Sequence, residues 1–161
     1  MNKIKRDNGF TLIEVLAVII IIGVLGAIAI PKLMLSTTTA RQNADIATAR
    51  QVKVALDRYQ LENGVYPKKT ELNAVGGAVT CASLIPKYIS KLDASTTQQA
   101  VPDDVKGFDV AELNVDADAP TEFIIPDAKT RTIMIYLSNN GLAAEVRAYD
   151  QDFNILWTSA N

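Results

Sequence analysis

The sequence predicts an α+β protein: one long N-terminal helix, membrane-spanning in its first half, packed through its second half on a C-terminal antiparallel sheet of three or four strands. Three observations carry this expectation. No charged residue occurs from Val15 to Pro31. Helical periodicity then continues in polar sequence to Glu62 and meets a stop at Asn63-Gly64. The last segment, from Thr121 onward, changes to the two-residue alternation of strands around a turn signal at Asn140-Gly141.

The chain opens on a short basic stretch carrying Lys3, Lys5 and Arg6, which ends at Gly9. With Phe10 to Leu12 in front of Glu14, the apolar run reaches ~20 residues, enough as a helix to cross a hydrocarbon core of ~30 Å. The span is placed at about residues 10–32. The basic residues stay on the cytoplasmic side. An ordinary secretory signal cut after Ala27 or Ala29 fits poorly, because signal h-regions run to ~7–15 residues and this one continues into helical sequence. A plain anchor explains length and orientation but leaves no role for Glu14. A carboxylate inside a membrane span is costly and marks a function whose partner must be named.

Beyond Pro31, residues to Glu62 place Ala49, Val52, Leu56 and Tyr59 on one side of the helix and Ala40, Ala47, Val54 and Leu61 on the other. A helix lying on a domain needs one apolar stripe. Two opposed stripes imply that one side meets the protein's own head and the other meets helices of other subunits. Gly23, Gly26 and Pro31 weaken the helix locally, since proline lacks a donor and glycine costs ~1 kcal/mol against alanine. That region is expected to bend or extend on packing.

After Gly64, Pro67, Pro86, Pro102, Pro120 and Pro126 break the chain into the short segments of a head domain, residues 64–161. Val65 to Ala100 reads as irregular chain with a short helical piece from Ala82 to Leu92. Strands are expected at Thr121–Ile125, Thr132–Ser138 and Leu142–Tyr149, the last two joined by a two-residue Asn140-Gly141 turn. A final strand, Phe153–Thr158, presents Phe153, Ile155 and Trp157 on one side.

Composition excludes several chemistries. The formal charge of −2, without a basic run, offers nothing for nucleic acid to bind. There is no histidine and one cysteine, Cys81, so histidine-dependent triads, imidazole or multi-thiolate zinc sites and an intramolecular disulfide are all out of reach. Cys81, in Ala78-Val79-Thr80-Cys81-Ala82-Ser83-Leu84, reads as a small buried hydrophobe.

Gly9-Phe10-Thr11-Leu12-Ile13-Glu14 resembles the class III signal of type IV pilins and their pseudopilin relatives, and the segment from Ala55 to Pro67 is similar to the end of the long helix in major pseudopilins and Gram-positive pilins. The resemblance implies a pilin fold with residues 1–9 as a leader and 10–63 as the long helix. It further implies cleavage by prepilin peptidase between Gly9 and Phe10, and methylation of the new Phe10 amine. During assembly Glu14 would pair with the Phe10 amine of a neighbour, and Pro31 matches a helix-breaking proline of the family. Implied partners are other copies of the chain in a homopolymeric filament, the peptidase, and a membrane platform with an assembly ATPase. The chain would begin as a single-pass precursor in the cytoplasmic membrane and end in an extracellular filament. The expected function is a structural pilus subunit for adhesion or motility; the alternative is a pseudopilin of a secretion or DNA-uptake system. No catalytic residue is expected. The absence of a cysteine pair departs from many Gram-negative pilins and leans to a Gram-positive source.

From Asp93 to Asp127 the sequence holds nine carboxylates against one basic residue, Lys106. Some major pseudopilins hold calcium in a loop before their last strands, and Asp103, Asp104, Asp109, Asp116 and Asp118 are hard oxygen donors suited to it. The other reading is a solvated acidic loop, since the spacing fits no EF-hand. Two rival classes are a monomeric anchored binding domain with an acidic head, which predicts no processing at Gly9, and a tethered enzyme using a pair such as Asp103 and Asp104. A conductive filament lacks an aromatic path, since no aromatic residue lies between Phe10 and Tyr59.

Overall fold

The computed structural model describes residues 10–115, 123–127 and 129–160. One helix, α1, runs from Leu12 to Asn63. Two units divide the chain within this helix, Met1–Thr37 and Thr38–Asn161.

In the first unit α1 is apolar on every side from Val15 to Pro31, and none of the membrane-type window is buried. Phe10, Leu12, Ile13 and Leu35 are more than 70% exposed. A helix hydrophobic on every side requires an apolar environment that its own chain does not supply. Pro31 lies inside α1, and the helix continues through Gly23, Gly26 and Pro31. In the subunit alone, these residues end nothing.

The second unit carries the outer half of α1 and the head. Ala49, Val52, Ala55 and Leu56 are buried, and Tyr59 packs partly buried against the same core, whereas Ala40, Ala47, Val54 and Leu61 are exposed. The two stripes therefore separate as the periodicity predicts. Gly64 N–H donates to the Gln60 carbonyl at 2.7 Å and closes the helix.

A hairpin, β1 (Asn73–Val75) and β2 (Ala78–Thr80), precedes the main sheet of β3 (Phe108–Val115), β4 (Phe123–Ile124), β5 (Ile133–Ser138), β6 (Ala144–Tyr149) and β7 (Ile155–Thr158). The order is β4-β3-β5-β6-β7. All neighbours are antiparallel except β3 and β5, which are parallel in the register Phe108↔Ile133 to Leu113↔Ser138. The α+β class holds, with five strands in place of three or four and one parallel pair. A parallel pair needs a long crossover, and residues 116–132 supply it.

The sheet is buried on both faces. Ile133, Ile135 and Leu137 join Phe108, Val110, Val146 and Ala148 against α1. Met134 and Tyr136 point the other way, into a smaller cluster with Leu113, Tyr149 and the partly buried Phe123, Ile125 and Phe153. Every residue of β5 is consequently buried. Cys81 is a buried free thiol, as expected.

Four local expectations are corrected. Residues 82–88 form turns, not a helix, and Leu92 makes an isolated bridge to Val79; Pro86 has no N–H to give and disfavours helical backbone at Ile85. The β5–β6 connection is five residues, 139–143, with only Gly141 at positive φ (72°), so the Asn140-Gly141 pair is not a two-residue turn. Gly141 N–H donates to Ser138 O and Leu142 N–H to Asn140 Oδ1, which closes the longer loop. Leu142 is left exposed outside the strand. Phe153 stands in a turn at φ 59°, not in β7, and packs edge-on against Tyr149. Of the expected strand Thr121–Ile125, Phe123 and Ile124 form β4 and Ile125 lies outside it, while Thr121 and Glu122 lie outside the described residues.

Candidate assembly site

At the start of α1, Thr11 and Glu14 close on each other. Thr11 N–H and Thr11 Oγ1 both donate to Glu14 Oε2, at 2.8 and 2.7 Å, while Glu14 N–H donates back to Thr11 Oγ1 at 3.4 Å. This is a capping box, in which the side chains at N-cap and N3 satisfy each other's backbone donors. In a membrane it matters more than in water, because an unpaired N–H there costs several kcal/mol. The signal was present as a Thr-x-x-Glu ahead of an apolar run, and sequence reasoning passed over Thr11. Glu14 Oε1 takes no bond among the described residues and remains open to a further donor. Phe10, beside it, is 84% exposed. Gly9 lies outside the described residues.

In the head, α1 presents its exposed ridge of Ala47, Arg50, Val54, Arg58 and Leu61 on the side away from the core residues. Its buried side holds a charged residue the sequence reading also missed. Asp45 is fully buried and accepts from Gln98 N–H at 2.5 Å, Gln99 N–H at 3.3 Å and Gln99 Nε2 at 3.0 Å. Gln99 Nε2 also reaches the Tyr149 carbonyl at 2.9 Å, so one carboxylate ties helix, loop and β6 together. Near the helix end, Glu62 accepts from Lys87 at 2.9 Å and from Tyr88 at 2.7 Å. Hydrogen bonds to Tyr88 and Glu62 push the Lys87 ammonium up to about 12, and those from Lys87 and Tyr88 hold the Glu62 carboxyl below its ordinary value.

The five carboxylates considered for calcium do not form a described cluster. Asp103 and Asp104 are exposed in the turn before β3, while Asp109 is on β3 and bonds Val110 N–H and the Thr130 hydroxyl. Asp116 and Asp118 lie outside the described residues. Among the described residues no three carboxylate, cysteine or histidine groups converge as a metal site would require. Instead Arg131 Nη1 donates to the carbonyls of Asp103, at 2.7 Å, and Lys106, at 3.0 Å.

An apolar, exposed N-terminal helix entering an α+β head whose sheet packs on the same helix defines a pilin-like, membrane-anchored protein. The family model for the prokaryotic N-terminal methylation motif matches residues 4–30. The chain is 30% identical over 129 residues to a type II secretion system core protein G of Aeromonas hydrophila, covering 73% of this chain and 90% of that protein. It is 37% identical over 67 residues to the core protein G of Vibrio cholerae, covering 42% of this chain and 46% of that one. To a type IV major pilin of Neisseria gonorrhoeae it is 35% identical over 92 residues, 57% of this chain and 52% of the pilin. The match thus spans about half the length of the last two relatives. No solved structure matches the chain. The chain belongs to the family of type IV pilins and type II secretion pseudopilins.

Proposed function

We propose that this chain is a structural filament subunit, cut between Gly9 and Phe10 by prepilin peptidase, methylated at Phe10 and polymerised through α1 into a surface pilus serving adhesion or motility. The observation that carries the reading is the bare apolar half of α1, whose membrane-type window is wholly unburied. In the precursor, lipid covers it; in a filament, the helices of other subunits do. In this reading Glu14 accepts from the Phe10 amine of a neighbour, which the open Oε1 supports. In low dielectric each charge is expensive alone and their attraction is amplified, so the pair selects axial register. The role is not catalytic. In this reading assembly requires a membrane platform and an ATPase motor.

A second reading, a pseudopilin of a secretion or DNA-uptake system, is favoured by the core protein G relative whose length the chain covers to 90%. Calcium in the head remains a proposal of the resemblance; it predicts a rise in melting temperature on adding calcium that Asp116→Asn with Asp118→Asn abolishes.

The test is the intact mass and N-terminal sequence of the protein recovered from envelopes and sheared filaments, with Glu14→Ala and Glu14→Gln alongside. The expected wild type begins at methylated Phe10 in sheared filaments, with both variants processed but retained in the membrane. An intact Met1, or an end created at Ala29, overturns the proposal. Loss of secretion or transformation without recoverable long filaments selects the pseudopilin.

A further inference from the structure

Thr38 and Arg41 of α1, Gln99 of the loop before β3, and Asp150 and Asp152 of the turn after β6 line a cavity of about 230 Å³. Gln99 fixes its polarity. That side chain is only 5% exposed, and its Nε2 hydrogens go to Asp45 Oδ2 and the Tyr149 carbonyl, at 3.0 and 2.9 Å. The ionised carboxylate and the carbonyl can only accept, so the amide cannot be turned round and Oε1 is fixed as an acceptor directed away from them. Gln99 Oε1 takes no bond among the described residues, yet no buried side-chain oxygen or nitrogen among them lacks a partner. That oxygen therefore reaches solvent, and the cavity is the opening that Gln99 lines. Arg41, exposed and one turn before Asp45, makes no ion pair with Asp45, Asp150 or Asp152. The Asp150 carboxylate accepts from Asp152 N–H, Asn154 N–H and the Asn154 amide, whereas the exposed Asp152 carboxylate takes no bond among the described residues. The volume falls below the roughly 300–1,000 Å³ of pockets for drug-sized ligands, so the cavity admits a small polar group.

We propose that this cavity takes the headgroup of a phospholipid bearing a primary ammonium, which donates to Gln99 Oε1 and the Asp152 and Asp150 carboxylates while the phosphate rests on Arg41. Position selects a lipid. The charge-free span ends at Pro31, and Thr38 follows seven residues on. That interval is about 10 Å as helix and at most about 25 Å however the chain bends, which keeps the cavity within reach of the headgroup layer bordering the hydrocarbon. Chemistry selects the headgroup. An anionic headgroup without an amine meets two carboxylates against one arginine. A quaternary ammonium has no N–H for Gln99 Oε1, and no aromatic ring lines the cavity to receive it. The guanidinium of Arg41 suits a phosphate, which it can bind through two parallel N–H donors. A headgroup held here ties the head to the leaflet, and the tie is lost when the subunit leaves the bilayer. Of the filament reading only the membrane-held chain is needed; polymerisation is not.

The test uses the full chain in detergent micelles doped with phosphatidylethanolamine, phosphatidylglycerol and phosphatidylcholine at equal concentration, with retained lipid counted by native mass spectrometry. Wild type is expected to retain the ethanolamine lipid about tenfold more than either of the others. Arg41→Gln and Asp152→Asn, both at exposed positions, should each lower that retention about tenfold while leaving urea unfolding unchanged. Asp152→Lys should turn the preference towards phosphatidylglycerol, which a folding defect would not do. Glycerophosphoethanolamine, the soluble headgroup, should displace the lipid only in large excess. Equal retention of the three lipids, or retention indifferent to Arg41→Gln and Asp152→Asn, is what lipid lying only along the apolar half of α1 would give, and it overturns the proposal. A soluble headgroup that binds as tightly as the lipid makes this a site for a soluble metabolite and overturns the lipid source. Filament recovery and the mass of the N-terminus test the filament reading separately, so either conclusion can fail alone.

Discussion

Replacing Asp45 with alanine should destabilise the head more than any surface change. Its carboxylate takes the Gln98 and Gln99 backbone donors and the Gln99 side-chain amide in a fully buried position. Each charge-assisted bond is worth about 1.5–3 kcal/mol, but the three are coupled and do not add. Removing the carboxylate leaves the Gln99 N–H and one hydrogen of the Gln99 amide buried and unpaired, at about 1–3 kcal/mol for each group, so the loss is about 3–5 kcal/mol. Against a total domain stability of about 5–15 kcal/mol that is a large fraction. For a domain of this size it corresponds to a fall in Tm on the order of 10–20 °C. Asp45→Asn keeps the shape but turns an NH2 towards one of the donors, and should cost about 1.5–3 kcal/mol. The assay is unfolding of the full-length protein in detergent micelles, followed by the fluorescence of Trp157, the single tryptophan, which packs at the edge of the main core. Amide exchange at Gln98 and Gln99 should lose protection first. If Asp45→Ala melts within about 0.5 kcal/mol of wild type, the network is ornamental and the helix is held by apolar packing alone.

Other outcomes follow from individual contacts. Thr11→Ala removes one half of the capping box and should raise amide exchange in the first turn of α1 in micelles by the equivalent of about 1 kcal/mol, with Thr11→Ser restoring it; equal exchange in all three would deny the box a role. Gly107→Ala sets a Cβ at φ +102° against the backbone of Gly77, whose carbonyl accepts Phe108 N–H at 3.0 Å, and should cost about 2 kcal/mol or more in urea unfolding. Leu56→Ala, fully buried between helix and sheet, should cost about 2–5 kcal/mol, against less than about 0.5 kcal/mol for Val54→Ala on the exposed ridge; similar values for the two would refute the assignment of faces. Asp150 is pulled down from its ordinary value near 3.8: burial pushes it up, but bonds from the Asn154 amide, Asn154 N–H and Asp152 N–H outweigh this. A depressed carboxyl stabilises above its ordinary value and loses that contribution as pH falls through the lower folded one. The Tm advantage of wild type over Asp150→Asn should therefore hold from neutral pH down to about 5 and close below 3.8, and a gap that persists at pH 2 would refute it.

Much of the helix was legible because its signals are local. The charge-free run, the two stripes and the Asn63-Gly64 stop each depend on neighbours within a few residues, and the buried and exposed sides fall where the periodicity places them. Thr11 was equally local and was overlooked because Glu14 was read only as a partner for another chain. Asp45 was hidden for a different reason: an aspartate in a polar helix looks solvated until Gln98 and Gln99 arrive from more than fifty residues away. Strand β3 was lost inside the acidic stretch, because its alternation fails at Ala111-Glu112 and its carboxylates suggest a loop. Phe153 was placed in a strand by alternation, but its apolar partner, Tyr149, lies on the opposite face of the sheet from the main core.

By itself, then, the sequence determined that a long apolar helix precedes the head, that a carboxylate stands within its first turn, and that the head is α+β. These are properties of composition and short-range periodicity, which survive without knowledge of any distant contact. Tertiary structure alone decided the parallel pairing of β3 with β5, the second core behind the sheet, and the burial of Asp45. Each depends on which distant segments meet, and the free energy of such meetings belongs to pairs of residues that no local window contains.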